Sequence, residues 1–104
     1  MSERSWFRAL PLAELEVGWV SLASVAGRQY ALYDTPDGLR ATIAQCSHAG
    51  ALLTDGYFDG FTIECPLHQG CFDVRTGAAT GTPATRSLRT VNVRVCGAYV
   101  ELEV

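Results

Sequence analysis

The sequence predicts an all-β fold, a small antiparallel β-sandwich or barrel, and three observations lead there. Glycine and proline recur at short intervals, 10 and 4 of them in 104 residues. No long run keeps the helical period. The C-terminal residues alternate between apolar and polar: Val91, Val93 and Val95 with Asn92 and Arg94, then Val100, Leu102 and Val104 with Glu101 and Glu103. The two runs read as the arms of a hairpin with one buried face, turning at Cys96-Gly97.

The other elements follow in chain order. Strands are expected at 17–25, 29–34, 40–44 and 61–64, and Pro36-Asp37-Gly38 marks a tight turn between two of them. Residues 11–15 hold at most one helical turn. Trp6, Phe7, Trp19 and the valines read most simply as core. A chain of this length builds one core and therefore one domain, residues 1–104.

Composition narrows the function. Apolar residues make up 48% and charged residues 18%, which excludes a disordered or low-complexity protein. Eleven acids against eight bases, all of them arginine, give a net charge of −3, so no nucleic-acid partner is expected. The acids crowd the middle: residues 29–74 carry six acids and one arginine, whereas residues 75–104 carry four arginines and two glutamates. Neither a secretory signal nor a membrane span of roughly 18 apolar residues can be read. A cytoplasmic, monomeric protein without a membrane partner is the expectation. Structural disulfides are rare in that compartment.

Only two histidines and four cysteines are present, and each histidine stands two or three residues after a cysteine. The segments are Cys46-Ser47-His48 and Cys65-Pro66-Leu67-His68, sixteen residues apart. Each places a thiolate and an imidazole close together on a loop, and Gly50 and Gly70 follow the histidines by two residues, positions that let backbone approach a bound group closely. Two such loops together offer two sulfurs and two nitrogens. A Cys₂His₂ zinc site in an interaction module would use that set, although zinc fingers keep their cysteines together and add a helix. A two-iron cluster with two cysteines on one iron and two histidines on the other would use it equally well. An all-cysteine plant-type cluster needs C-x₄-C-x₂-C, which Cys46, Cys65, Cys71 and Cys96 do not supply.

The segments Cys46-Ser47-His48-Ala49-Gly50 and Cys65-Pro66-Leu67-His68-Gln69-Gly70-Cys71-Phe72-Asp73 together resemble the Rieske iron–sulfur family. The whole length is similar to the soluble Rieske ferredoxins of bacterial aromatic-ring-hydroxylating dioxygenase systems. The resemblance implies one [2Fe-2S] cluster, with Cys46 and Cys65 on the inner iron and His48 and His68 on the outer. It also implies a cluster-binding subdomain, about residues 43–83, inserted into a β-sandwich base, with Gly81-Thr82-Pro83-Ala84 as a covering loop.

The same resemblance bears on potential. Two ferric ions balanced by two sulfides and two thiolates leave the oxidised cluster neutral, so Rieske centres lie at about −150 to +300 mV, against about −400 mV for plant-type ferredoxins. High-potential respiratory relatives add a cysteine to each loop, joined as a disulfide; Ala51 and Leu67 stand at those positions. Their serine and tyrosine hydroxyls, which bond to cluster sulfur, are matched by Gly70 and Phe72. Fewer hydrogen bonds stabilise the reduced state less, so a potential near the low end, around −150 mV, is expected.

No nucleotide fingerprint is present, and both histidines are committed, leaving none for a two-His-one-carboxylate oxygen site. The role implied is therefore a carrier rather than an enzyme. It would take one electron from an NAD(P)H-dependent flavin reductase and pass it to a terminal aromatic-ring-hydroxylating oxygenase. Ala49, Ala51, Leu52, Gln69, Pro83 and Ala84 would form the contact, with Asp55, Asp59 and Glu64 steering the encounter. Cys71 is expected as a small loop filler and Cys96 as a hairpin-turn thiol. The alternative among redox proteins is the small subunit of an assimilatory nitrite reductase.

Overall fold

The computed structural model describes residues 4–46, 51–67, 70–81 and 86–104. Of the described residues 56% are strand, and their helical content is two single 3-10 turns, Leu12–Glu14 and Leu53–Asp55. The described residues form ten strands: β1 Trp6–Pro11, β2 Val20–Val25, β3 Arg28–Thr35, β4 Gly38–Ile43, β5 Tyr57–Phe58, β6 Thr62–Glu64, β7 Cys71–Asp73, β8 Ala79–Gly81, β9 Thr90–Cys96 and β10 Tyr99–Glu103. Six make one antiparallel sheet in the order β1-β10-β9-β4-β3-β2, and the other four make a second, β5-β6-β7-β8. The end strands β1 and β2 also meet, so the large sheet curls into a nearly closed barrel, as expected for an all-β chain.

The chain leaves the barrel after β4, builds the small sheet, and returns as β9 beside β4 itself, pairing Ala41 with Val91 and Thr42 with Thr90. The return is tied at Gly77, whose carbonyl accepts from the Leu88 amide at 2.7 Å. Gly77 sits at φ +79°, and a Cβ there would fall 2.1 Å from the Leu88 carbonyl oxygen.

Strand β3 explains how the two sheets hold together. Successive side chains point to opposite faces, and both faces of β3 are covered. Tyr30 and Leu32 pack inside the barrel with Ala23, Val25, Ala41, Val100 and Leu102. Ala31 and Tyr33 point the other way and pack with Phe58, Ile63, Phe72 and Val74 of the small-sheet region, together with Cys46 and Cys65. Residues 30–33 are therefore buried without interruption, which is why they read as an unbroken apolar run. Between the layers the Tyr33 hydroxyl lies 2.9 Å from Thr42 Oγ1.

Several expectations are corrected here. Phe7 and Trp19 are partly exposed, at 42% and 39%, and Val17 is 89% exposed, outside β2; of the valines only some, such as Val20, Val25, Val74 and Val100, are core. Trp6 lies in β1, a strand not anticipated, and is half-buried beneath the Arg94 guanidinium at 4.2 Å. Arginine stems and heads cover apolar rings well, which is how a tryptophan can sit on the outer face of a small sheet. Trp19 meets Tyr57 and Phe58 edge-on at 6.0 and 6.4 Å, sealing a seam between the sheets rather than filling a core. The terminal hairpin turns at Gly97-Ala98, with Cys96 the last residue of β9 and paired with Tyr99.

Candidate metal centre

Two loops carry the cysteines, and the same closure forms both. After β4 the Cys46 amide donates to the Ala51 carbonyl at 2.7 Å, and Gln45 bridges Leu52 just outside it. After β6 the Cys65 amide donates to the Gly70 carbonyl, again at 2.7 Å, with the Glu64–Cys71 strand pair just outside. In each case the donor is a cysteine and the acceptor stands five positions on. His48 and His68 lie outside the described residues, as do Ala49, Gln69, Pro83 and Ala84; by position alone, each histidine falls between the two closing residues of its loop.

The two cysteines converge. Both are buried, both are free thiols, and both belong to the core layer that includes Leu53, Phe58, Ile63 and Phe72. Burial pushes the Cys65 thiol up, the Leu67 amide opposes this by donating to the sulfur, and a side-chain hydrogen bond with Cys46 raises it again. The two sulfurs are therefore neighbours. Desolvation favours neutral thiols, whereas a bound metal draws off the protons and makes paired thiolates the stable form. Two adjacent, unbridged sulfurs at the mouths of matching loops fit the thiolate half of a two-iron cluster. Among the described residues no set of three or more His, Cys, Asp or Glu side chains could hold a metal ion by itself.

Neighbouring positions differ from expectation in detail. Cys71 is not a loop residue: it opens β7, half-buried opposite Glu64, and its Sγ lies 4.0 Å from the Glu64 carboxylate. Burial and the charges of Glu64 and Asp59 hold that thiol above its ordinary range. Cys96 is exposed. Asp59 accepts from the amides of Phe61 and Thr62 at 3.1 and 2.8 Å, so its carboxylate shapes the β5–β6 turn. Asp55 is exposed beside the first loop. Phe72 is fully buried on β7, and Gly70 is buried at the base of the second loop. The backbone of Gly81, where the third loop begins, pairs with Cys71.

Sequence reasoning missed the apolar floor under the cysteines. Leu53, Phe58, Ile63, Phe72 and Val74 are all buried, and the alternation of Phe72 with Val74 was the signal for it. Strands of two or three residues are too short to show a period otherwise.

Comparison with known proteins agrees with this geometry. The family described as "Rieske [2Fe-2S] domain" matches residues 5–92. The ferredoxin component of the naphthalene 1,2-dioxygenase system of Pseudomonas aeruginosa is 40% identical over 103 residues, 99% of this chain and 98% of that protein. Among solved structures, the Sphingomonas yanoikuyae B1 ferredoxin superposes with a TM-score of 0.88 at 32% identity, covering 96% of this chain and 99% of the other. A structure of the complex of reduced oxygenase and oxidised ferredoxin in carbazole 1,9a-dioxygenase contains a chain that matches with a TM-score of 0.85 at 31% identity, covering 94% and 92%.

Proposed function

The chain belongs to the Rieske [2Fe-2S] domain family, and from that premise we propose that Cys46, His48, Cys65 and His68 hold its cluster, the cysteines on the buried iron and the histidines on the outer one. The protein is an electron carrier, the ferredoxin component of an aromatic-ring dioxygenase system. The observation that carries the ligand assignment is the pair of adjacent, free, buried sulfurs at the bases of two identically closed loops.

When bound, a cluster of this type supplies a single reversible electron. The chain's own residues set the conditions for it. Leu53, Ile63 and Phe72 keep the sulfur side dry, and the Leu67 amide donates toward Cys65, an interaction that favours the thiolate. Residues 43–83 would form the cluster-binding unit, with Gly81-Thr82-Pro83-Ala84 as the covering loop that the family resemblance implies. The carrier takes its electron from a flavin-dependent reductase and delivers it to a terminal oxygenase, as the carbazole complex pairs a ferredoxin with its oxygenase. Ala51, Leu52 and the loop tips would make the contact, with Asp55 steering. We place the carrier in the cytoplasm; Cys46 and Cys65, adjacent yet not joined as a disulfide, suit a reducing compartment, and no described helix is long and apolar enough to cross a membrane.

Spectroscopy of the purified protein tests the reading. A red-brown protein whose reduced form gives the paramagnetic signal of mixed histidine–cysteine ligation is expected. Its reduction by NAD(P)H and a flavin reductase should be followed by reoxidation on addition of a ring-hydroxylating oxygenase. A colourless, zinc-loaded protein overturns the reading; stable association with a sirohaem subunit would make it a nitrite reductase subunit instead.

A further inference from the structure

Away from the cysteine loops, a groove of about 390 Å³ opens between the barrel and the small sheet. Trp6, Leu39, Val74, Val91 and Val93 line part of it, and the larger, polar share of its wall includes Arg40, Arg75, Thr90 and Asn92. Arg75 is spoken for: its guanidinium meets the Asp73 carboxylate at 3.0 Å and lies 4.6 Å over the Phe61 ring, and Asp37 adds a further negative charge nearby. Asn92 donates to Glu103 at 3.0 Å. Arg94, over the Trp6 ring, is paired with Glu101 at 2.7 Å.

Arg40 differs from its neighbours. Its Nε is buried and has no hydrogen-bond partner among the described residues, and it enters neither of their ion pairs. Buried donors are almost always paired, and an unmade bond to a charged group is costly. That Nε is closed off, so a ligand in the groove would meet the other nitrogens of the guanidinium, which match the two oxygens of a carboxylate. The strand pattern explains its direction: Arg40 is the cross-strand partner of Tyr33, so it points out of the barrel toward Val74 and the small sheet, not toward solvent at an edge.

We propose that this groove binds a small carboxylate with an apolar body, the carboxylate held by the Arg40 guanidinium and the body lying against Trp6, Val74 and Val91. A cleft that sets apolar side chains beside convergent polar groups suits a small molecule that carries both. The size of the groove suits a molecule of one aromatic ring better than a bare inorganic anion.

The test uses the holo-protein, with its visible spectrum as the control for folding, and titrates benzoate, benzyl alcohol and inorganic phosphate by ligand-observed NMR and calorimetry. Benzoate should bind, and benzyl alcohol and phosphate should each bind at least about tenfold more weakly. Arg40→Gln should weaken benzoate by a similar factor while leaving benzyl alcohol unchanged, and Arg40→Lys should recover part of the loss. Equal benzoate affinity in wild type and Arg40→Gln overturns the site, as does phosphate binding as tightly as benzoate or no benzoate binding at all. Should Arg40→Gln fail to fold, Asn92→Trp, which blocks the groove from its exposed edge, takes its place; unchanged benzoate affinity there overturns the site equally.

Discussion

The Cys65 amide donates to the Gly70 carbonyl at 2.7 Å, a bond that repeats, at equal length and spacing, the one from Cys46 to Ala51. Each cysteine is thus fixed by its own backbone at the base of a closed loop, while its side chain points into the apolar layer containing Phe58, Ile63 and Phe72. Rigid placement of both sulfurs before metal arrives lowers the ordering cost of assembling a cluster.

That placement separates the cysteines into two classes. Cys46→Ser or Cys65→Ser should yield protein without the visible and paramagnetic signatures of the cluster, and His48→Ala or His68→Ala should abolish or change them. Cys71→Ser and Cys96→Ser should leave both signatures intact, because Cys71 bonds Glu64 on the far side of a strand pair and Cys96 is exposed. Cluster content measured as iron per chain checks all six; loss of iron in Cys71→Ser would remove that residue from the second class.

The midpoint potential should fall around −150 mV, at the low end of the Rieske range. Gly70 and Phe72 offer no hydroxyl, and Phe72 is fully buried on β7. Phe72→Tyr should raise the potential by about 40 mV, the one-electron equivalent of one hydrogen bond of about 1 kcal/mol to the reduced form. A redox titration decides it, and a wild-type midpoint above zero would refute the argument.

The barrel was legible in the sequence where one face is wet. The alternation of Val91, Val93 and Val95 with Asn92 and Arg94 marked β9, and Val100 and Leu102 marked β10. The run at 29–34 marked β3 although both its faces are buried, and 61–64 marked β6; legibility fails for the other strands of two or three residues, β5, β7 and β8, which are too short to show a period. It also fails for Trp6 and Trp19, because an arginine or another ring can cover an aromatic that the core does not contain. The cysteine pair was legible because metal chemistry restricts residue type and spacing more tightly than packing does. Arg40 was not: a single arginine on a strand carries no pattern, and its isolation is visible only once Arg75 and Arg94 are seen to be paired.

Gly77 should be among the least replaceable glycines outside the cysteine loops. Its φ of +79° strains any L side chain, and a Cβ would collide with the Leu88 carbonyl carbon and oxygen, both backbone atoms that cannot swing away. Gly77→Ala should therefore cost about 2 kcal/mol or more, combining the left-handed strain with a forced shift of the segment returning to β9. Gly38→Ala and Gly97→Ala, also at positive φ but facing open space, should cost about 1 kcal/mol each. Thermal unfolding resolves the contrast, since about 1 kcal/mol moves Tm by roughly 4–8 °C in a domain of this size; equal shifts at Gly77 and Gly97 would show that the collision is relieved.

Tyr33 and Thr42 should show an asymmetry. The Thr42 hydroxyl donates to the Ile43 carbonyl at 2.8 Å, so across the 2.9 Å contact it is Tyr33 that donates and Thr42 that accepts. Tyr33→Phe removes one bond and leaves Thr42 satisfied, costing about 1 kcal/mol, whereas Thr42→Val strands a buried phenol and should cost about 1–3 kcal/mol more. The double variant should recover part of that excess. Burial also pushes the Tyr33 phenol well above its ordinary value of 10.0, the hydrogen bond to Thr42 only partly opposing this. A group whose folded pKa is raised holds its proton more firmly when folded, so its contribution is complete below about pH 10 and is lost as the pH climbs beyond it. Wild-type stability should accordingly fall on the alkaline side, with less fall in Tyr33→Phe. Denaturant unfolding between pH 8 and about pH 11 checks this, and identical alkaline limbs in the two proteins would mean that the phenol ionises without unfolding the layer around it.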